Sequence, residues 1–156
     1  MIRKFWLGLS DSLNQPPPAS HTVYLKGEPS AGGRIPRFDQ VLIVDDIPHY
    51  AQNSLETLRQ FYADADLTVH ITHTYAEALT TFQQNDIKLV ILDLDLDDLQ
   101  GDGAALLEVF RSQRPEITVL ANSSKRQSNG RLLKGGAKAA LAKDVRKLRR
   151  WLADHG

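Results

Sequence analysis

Cysteine is absent from the 156 residues, which excludes disulfides, thiolate catalysis and cysteine-based zinc or iron–sulfur sites. Neither sign of charge is in excess: 19 Lys and Arg balance 19 Asp and Glu, so the whole-chain field favours neither a nucleic-acid nor a membrane partner. Histidine is sparse. His21, His49, His70, His73 and His155 show no metal-ligand spacing, and His70 and His73, at the end of an expected strand, read as packed or solvated side chains. No apolar run is long enough to cross a bilayer. The apolar stretch near Met1 soon meets Ser10, Asp11 and Asn14, so it lacks a signal-peptide core and the cytoplasm is the expected compartment.

The length suits one main domain. Residues 1–40 read as an N-terminal extension, with Pro16-Pro17-Pro18 and then Gly27, Pro29, Gly32, Gly33 and Pro36. This extension is expected to hold a helical turn or a short strand at His21–Leu25, with Phe5, Trp6 and Leu9 covering the domain, contacting a partner or remaining free. From residue 41 to 156 the pattern becomes regular. Expected strands at Val41–Val44, Leu67–Ile71, Leu89–Leu92, Ile117–Ala121 and Ala139–Ala142 alternate with helices at Gln52–Tyr62, Tyr75–Gln84, Gly103–Gln113, Gln127–Lys134 and Val145–Ala153. The strand runs are apolar without strict alternation, as in parallel strands covered on both faces. The expected fold is therefore α/β: a single flavodoxin-like five-stranded parallel sheet of order 2-1-3-4-5 with helices on both faces.

Aspartates follow two of these runs, in Val41-Leu42-Ile43-Val44-Asp45-Asp46 and in Lys88-Leu89-Val90-Ile91-Leu92-Asp93. Parallel strands would bring their carboxyl ends together, where ligands bind in open α/β sheets. Crowded carboxylates need a compensating cation, and all-oxygen ligands select a hard ion such as Mg²⁺. Asp93 could then act as an oxygen nucleophile toward a phosphoryl group, with Lys143 pairing to the phosphate as a compact point charge. Taken singly, each aspartate could equally be a turn former or helix cap, and Lys143 a solvated side chain.

Taken together, these residues resemble the receiver domains of two-component response regulators over roughly residues 40–154. The resemblance implies that Asp45 and Asp46 are the acidic pair and Asp93 the acceptor of a phosphoryl group from a histidine kinase or phosphotransfer protein. It also makes Lys143 the lysine ending the last strand. The implied metal ligands are Asp45, Asp46, Asp93 and the backbone carbonyl of Asp95, with Asp46 the principal carboxylate and Asp45 acting partly through water. The implied output is a change of contact with a downstream protein target.

Three features depart from the family pattern. Asp93 is followed at the usual family spacing by Gly101, whereas Asp102-Gly103 sits at that spacing from Asp95, so Asp95 stands as the alternative acceptor and Asp97 and Asp98 as further loop carboxylates. A loop lengthened by two residues would reconcile Asp93 with Gly103 at little entropic cost. At the switch hydroxyl, counting back from Lys143 lands on Ala121, whereas counting forward from Ile117 lands on Ser123, and both assignments stay open. Ala140 and Asp144 stand where the family often has an aromatic and a proline, and Asp144 reads as the N-cap of the last helix.

Lys125, Arg126, Arg131, Lys134, Lys138, Arg146, Lys147, Arg149 and Arg150 make the later half basic. This is a solvated face or a docking surface for an acidic protein or for a homodimer through the later helices. Nucleic acid is disfavoured, since neither a helix-turn-helix nor an aromatic platform is present. No output domain is expected after Gly156, so the signal is expected to leave by protein contact or to reside in the N-terminal extension. A pseudo-receiver, binding partners constitutively with the same fold, is the strongest rival reading. A phosphatase-like enzyme with an aspartyl nucleophile is weaker, lacking a second catalytic acid or a specificity cap.

Overall fold

The computed structural model describes residues 20–28 and 36–156. Its core is a run of β-rich apolar segments that parallel pairing buries on both faces. Strand β2 (Gln40–Val44) lies at the centre, flanked by β3 (Leu67–Thr72) and β4 (Leu89–Leu92), with β5 (Thr118–Ala121) and β6 (Ala139–Ala140) beyond β4. These five strands are parallel in the flavodoxin-like order, as the sequence pattern implies. A sixth, β1 (His21–Leu25), joins the outer edge of β3 antiparallel, giving the order β1-β3-β2-β4-β5-β6. The short-strand alternative for His21–Leu25 is therefore the one that forms, and it covers an edge that would otherwise expose unpaired backbone groups. Phe5, Trp6 and Leu9 lie outside the described residues.

Alternation along β2 divides the core. Val41 and Ile43 point to the face covered by α1 (Pro48–Phe61) and α5 (Val145–His155), where Leu55, Leu58, Leu148 and Leu152 are buried. Leu42 and Val44 point to the face covered by α2 (Tyr75–Gln84), α3 (Gly103–Gln113) and α4 (Arg126–Lys134). There Phe82 and Phe110 stack at 4.2 Å, and Arg114 lies 4.1 Å over the Phe82 ring while donating to the Phe82 and Asn85 carbonyls. Trp151 on α5 stacks on Phe38 at 5.5 Å, tying the chain before β2 to the last helix. Leu132 on α4 is fully buried, whereas its neighbour Leu133 is 43% exposed.

Three boundaries differ from the sequence expectation by two residues or more, and several others by a single residue. Helix α1 begins at Pro48 rather than Gln52, because proline at the first helical position gives up an N–H that has no intrahelical partner anyway. Strand β6 stops at Ala140 because Ala142 and Lys143 take φ of +54° and +60°, which ends the pleat. Helix α5 runs to His155, two residues beyond the expected Ala153. Asp144 does cap α5, accepting from the Arg146 N–H at 2.9 Å.

The first residue of α3 fixes the floor under the strand ends. A Cβ added to Gly103 would lie 2.2 Å from the Asp93 carbonyl oxygen and 2.7 Å from the Leu94 Cα, both backbone atoms that cannot yield. Helix α3 thus starts directly after Asp102, its N-cap, with the Gly103 N–H donating to the Leu94 carbonyl at 2.9 Å. Asp93 and Gly103 are therefore joined by a lengthened loop. Gly103→Ala should lower the unfolding free energy by about 3 kcal/mol, the upper part of the range for overpacking. Urea denaturation measures it, and an unchanged midpoint would mean that the helix start is free to move.

Candidate functional site

The ends of β2 and β4 place Asp45 and Asp93 side by side, because β2 and β4 pair in parallel with Val44 opposite Leu92. One oxygen from each of Asp45, Asp46 and Asp93 falls within 4.8 Å of the others. Asp45 and Asp93 are 2% and 4% exposed, so their charges are largely removed from water. Lys143 enters from the turn after β6. Its Nζ donates to Asp45 Oδ2 and, at 3.3 Å, to Asp93 Oδ2, and it lies 4.5 Å from the centre of the Tyr50 ring. This lysine is itself almost wholly covered, so the ion pairs act in a medium far less screening than water.

The turn that delivers Lys143 is strained. Two consecutive non-glycine residues, Ala142 and Lys143, occupy the left-handed region. The strain is held by Asn122, whose Oδ1 accepts from the Lys143 N–H at 2.8 Å, and by the Asp144 N–H donating to the Leu141 carbonyl at 2.9 Å. Strain of this kind persists only where neighbouring contacts over-determine the backbone. Here it turns the chain so that a buried lysine reaches the carboxylates.

Each carboxylate has a distinct set of partners. Asp45 Oδ1 accepts from the Ile47 N–H at 3.0 Å, so with Lys143 on its other oxygen Asp45 is engaged on both sides. Asp93 Oδ1 accepts from the Asp95 N–H at 3.2 Å. Asp46 Oδ2 accepts from the Asp97 N–H at 3.2 Å, but its buried Oδ1 has no hydrogen-bond partner among the described residues. A buried acceptor without a donor is costly unless a ligand supplies the missing charge. Three crowded carboxylates around that atom fit a divalent cation held by Asp45, Asp46 and Asp93, with Asp46 the one that has an oxygen to spare.

Burial pushes the Asp93 carboxyl up to about 6; Lys143 opposes the rise and Asp45 adds to it. Burial likewise raises Asp45 despite Lys143.

The remaining sequence-derived candidates divide. The Asp95 carboxylate lies outside the acid cluster: its Oδ2 accepts from Ser123 Oγ at 2.9 Å and from Ser128 Oγ at 3.0 Å. Ser123 is fully buried, and its hydroxyl reaches the rim of the site through Asp95. Ala121 packs its methyl in the apolar core under α3 and α4. Pairing of Leu92 with Ala121 sets Asn122, one step further, level with Asp93. Asp98 is a clasp, accepting from the Tyr75 N–H at 2.7 Å and the Gln100 N–H at 2.9 Å.

Sequence reasoning missed three contributors, Tyr50, Asn122 and Ser128, and of the packed and solvated alternatives for His73 the packed one holds: it is 5% exposed, with its Nδ1 2.8 Å from the Asp45 carbonyl oxygen. Tyr50 was outside the expected helix, and Asn122 sits between the two residues weighed for the hydroxyl. His70 is packed too. His70 bridges Thr22 on β1 and Gln40 on β2 at 2.9 and 3.0 Å, and burial holds its imidazole below the ordinary range.

An acidic pocket at the carboxyl edge of the parallel strands, with a buried lysine reaching in, lies where open α/β domains bind their ligands. The family model described as response regulator receiver domain matches residues 41–151, and the chain belongs to that family. A search of the curated proteins finds no match. Among solved structures, the chain is similar to the non-phosphorylated receiver domain of the stress response regulator RcsB from Escherichia coli. The identity there is 17%, 75% of this chain and 92% of that chain are covered, and the TM-score is 0.65. It is also similar to the signal receiver domain of an HD domain-containing protein from Pseudomonas fluorescens, at 23% identity, with 78% and 88% covered and a TM-score of 0.62. A third is a response regulator protein from Burkholderia pseudomallei with a phosphorylated aspartic acid, calcium ion and citrate, at 16% identity, with 75% and 73% covered and a TM-score of 0.56. These likenesses establish the fold. Among the described residues no helix is long and apolar enough to cross a membrane.

The raised Asp93 carboxyl carries a stability consequence with a definite sign. Unfolded, this group titrates near 3.9, and folded at about 6. Between those values the metal-free folded chain binds more protons than the unfolded chain, so its contribution to stability is present below the lower value and lost as pH rises through the upper one. In EDTA, the melting temperature of the native chain should fall more steeply between pH 4.5 and 6.5 than that of Asp93→Asn. Equal slopes would show that Asp93 titrates normally.

Proposed function

We propose that the chain is a phosphorylatable receiver in which Asp93 accepts a phosphoryl group from a histidine kinase or phosphotransfer protein, and that the modified domain changes its contact with a downstream protein target. The observation that carries the reading is the convergence of Asp45, Asp46, Asp93 and Lys143 at one strand edge, with the buried Asp46 Oδ1 lacking a donor. An Asp93 oxygen attacks the phosphorus of the donor phosphohistidine; the P–O bond forms as the P–N bond breaks, and the imidazole leaves. Mg²⁺ held by the three aspartates, with the Asp95 carbonyl as a further ligand, would neutralise the phosphoryl oxygens. Lys143, already at Asp93, supplies the second positive charge. Asp93 is favoured over Asp95 as the acceptor because the Asp95 carboxylate is occupied by two serine hydroxyls outside the cluster.

The downstream surface we assign is the basic face of α4 and α5. Arg131, Arg146 and Arg149 are engaged internally with Asp102, Asp144 and Gln60. Lys125, Arg126, Lys134, Lys138, Lys147 and Arg150 are exposed and form no ion pair among the described residues. They suit an acidic protein target or an acidic patch on a second copy. The cytoplasm, the compartment expected from the sequence, is part of this reading.

One observation favours the pseudo-receiver as the second reading. Ala121 offers no hydroxyl, and the Ser123 hydroxyl is already committed to Asp95, so neither is free for a phosphoryl oxygen. Intact-protein mass after phosphoramidate and Mg²⁺ separates the two. The expected result is a labile gain of one phosphoryl group in the native chain and in Asp95→Asn, absent in Asp93→Asn and slowed at least ~10-fold in Lys143→Met, in line with losing one preorganised charge. No gain in a folded native chain would establish the pseudo-receiver reading, and selective loss in Asp95→Asn would move the acceptor.

A further inference from the structure

Asp95 makes contacts that the phosphoacceptor chemistry does not require. Its N–H donates to Asp93 Oδ1 at 3.2 Å, while a single oxygen of its carboxylate accepts from both Ser123 Oγ and Ser128 Oγ. One residue therefore bridges the acceptor aspartate, the loop after β5 and the first turn of α4. Ser128 and Asn129 are buried along with Ser123. Asn129 clamps the loop from the other side, its Oδ1 accepting from the Ser123 N–H and its Nδ2 donating to the Ser123 carbonyl, both at 2.8 Å. The Lys125 N–H approaches Ser123 Oγ at 3.4 Å. The loop is thus fastened around one anionic acceptor.

A carboxylate oxygen receiving two hydroxyl protons is a charge-assisted acceptor of the same chemical kind as a phosphoryl oxygen. We propose that Asp95 is an internal latch: its carboxylate holds the β5–α4 loop and the start of α4 on the rim of the site before any phosphoryl group arrives. Ser123 has one hydroxyl proton. A phosphoryl group on Asp93 would compete with Asp95 for that proton and, carrying about −1.5 to −2 charge, would repel the Asp95 carboxylate. The coupling from Asp93 to α4 is then an exchange of one anionic partner for another at Ser123, which keeps the loop fastened while the repelled Asp95 loosens its hold on Ser128 at the start of α4. This inference deepens the proposed function. Its second consequence rests on Asp93 being phosphorylated, whereas the latch itself does not.

Amide hydrogen exchange tests it on the full chain, read at Ser123 and Asn129, whose N–H groups are bonded to Asn129 Oδ1 and the Lys125 carbonyl. In the unphosphorylated state, Asp95→Ala should raise exchange at both amides at least ~10-fold while β2 and β4 amides stay protected. Ser128→Ala should raise it less, and adding Ser128→Ala to Asp95→Ala should have no further effect, since both remove the same contact. With phosphoramidate and Mg²⁺, the native loop should change less than ~2-fold, and Asp95→Ala should regain protection as the phosphoryl oxygen takes over Ser123. Native-like exchange in unphosphorylated Asp95→Ala, or additive effects of the two variants, would overturn the latch. If no variant gains phosphoryl mass, the phosphoacceptor reading fails, and the unphosphorylated arm still decides the latch.

Discussion

The interaction on which the site depends is the approach of the Lys143 ammonium to Asp45 and Asp93. Two nearly buried carboxylates at adjacent strand ends would repel each other and take up protons without it. The lysine can reach them only because β6 is cut to two residues and the following turn adopts the left-handed conformation at Ala142 and Lys143. That turn is held in part by Asn122, at the end of β5, so the sheet register, the strained turn and the charge balance of the pocket are linked. One lysine against three aspartates still leaves negative charge in excess, and the buried Asp46 oxygen, without a donor among the described residues, marks where a cation would relieve it.

The acidic loop after β4 is wired rather than merely charged. Asp95 reaches α4, Asp98 holds the start of α2, and Asp102 caps α3 while pairing with Arg131 on α4. Asp46 in turn accepts from the Asp97 backbone. A loop lengthened between Asp93 and Gly103 would otherwise be free to sample many conformations; instead its carboxylates tie it to the helices around the site. The same bonds take the Asp95 carboxylate out of the acid pocket, which separates it chemically from Asp93 although the two are only two residues apart.

Much of the fold was legible because parallel strands covered on both faces leave unmistakable apolar runs. Leu89–Leu92, with Asp93 directly after it, and Gly103–Gln113 have the bounds the pattern implies. Asp45, Asp46 and Asp93 were legible together because strand ends in a parallel sheet converge, whereas Lys143 joined them through the resemblance to the receiver family. What was hidden depends on side-chain direction. Whether Ser123 points at Asp93 or at Asp95 is a matter of rotamer and loop path, which spacing cannot fix. The counts from either side of the lengthened and shortened loops passed over Asn122, the residue level with Asp93. The shortness of β6 was likewise hidden, since Ala139 to Ala142 are all compatible with a strand and only the demand on Lys143 bends them away.

The measurement that tests the central claim most directly is calorimetric titration of the native chain with Mg²⁺ at pH 6 and pH 8, in buffers of differing ionisation enthalpy. An Asp93 carboxyl raised to about 6 is partly protonated at the lower pH, so cation binding there must expel protons. The account predicts release of roughly half a proton per ion at pH 6 and close to none at pH 8, with affinity reduced at least ~10-fold in Asp46→Asn. Binding with no proton release at pH 6, and undiminished in Asp46→Asn, would contradict the account by placing the cation outside the pocket of Asp45, Asp46 and Asp93.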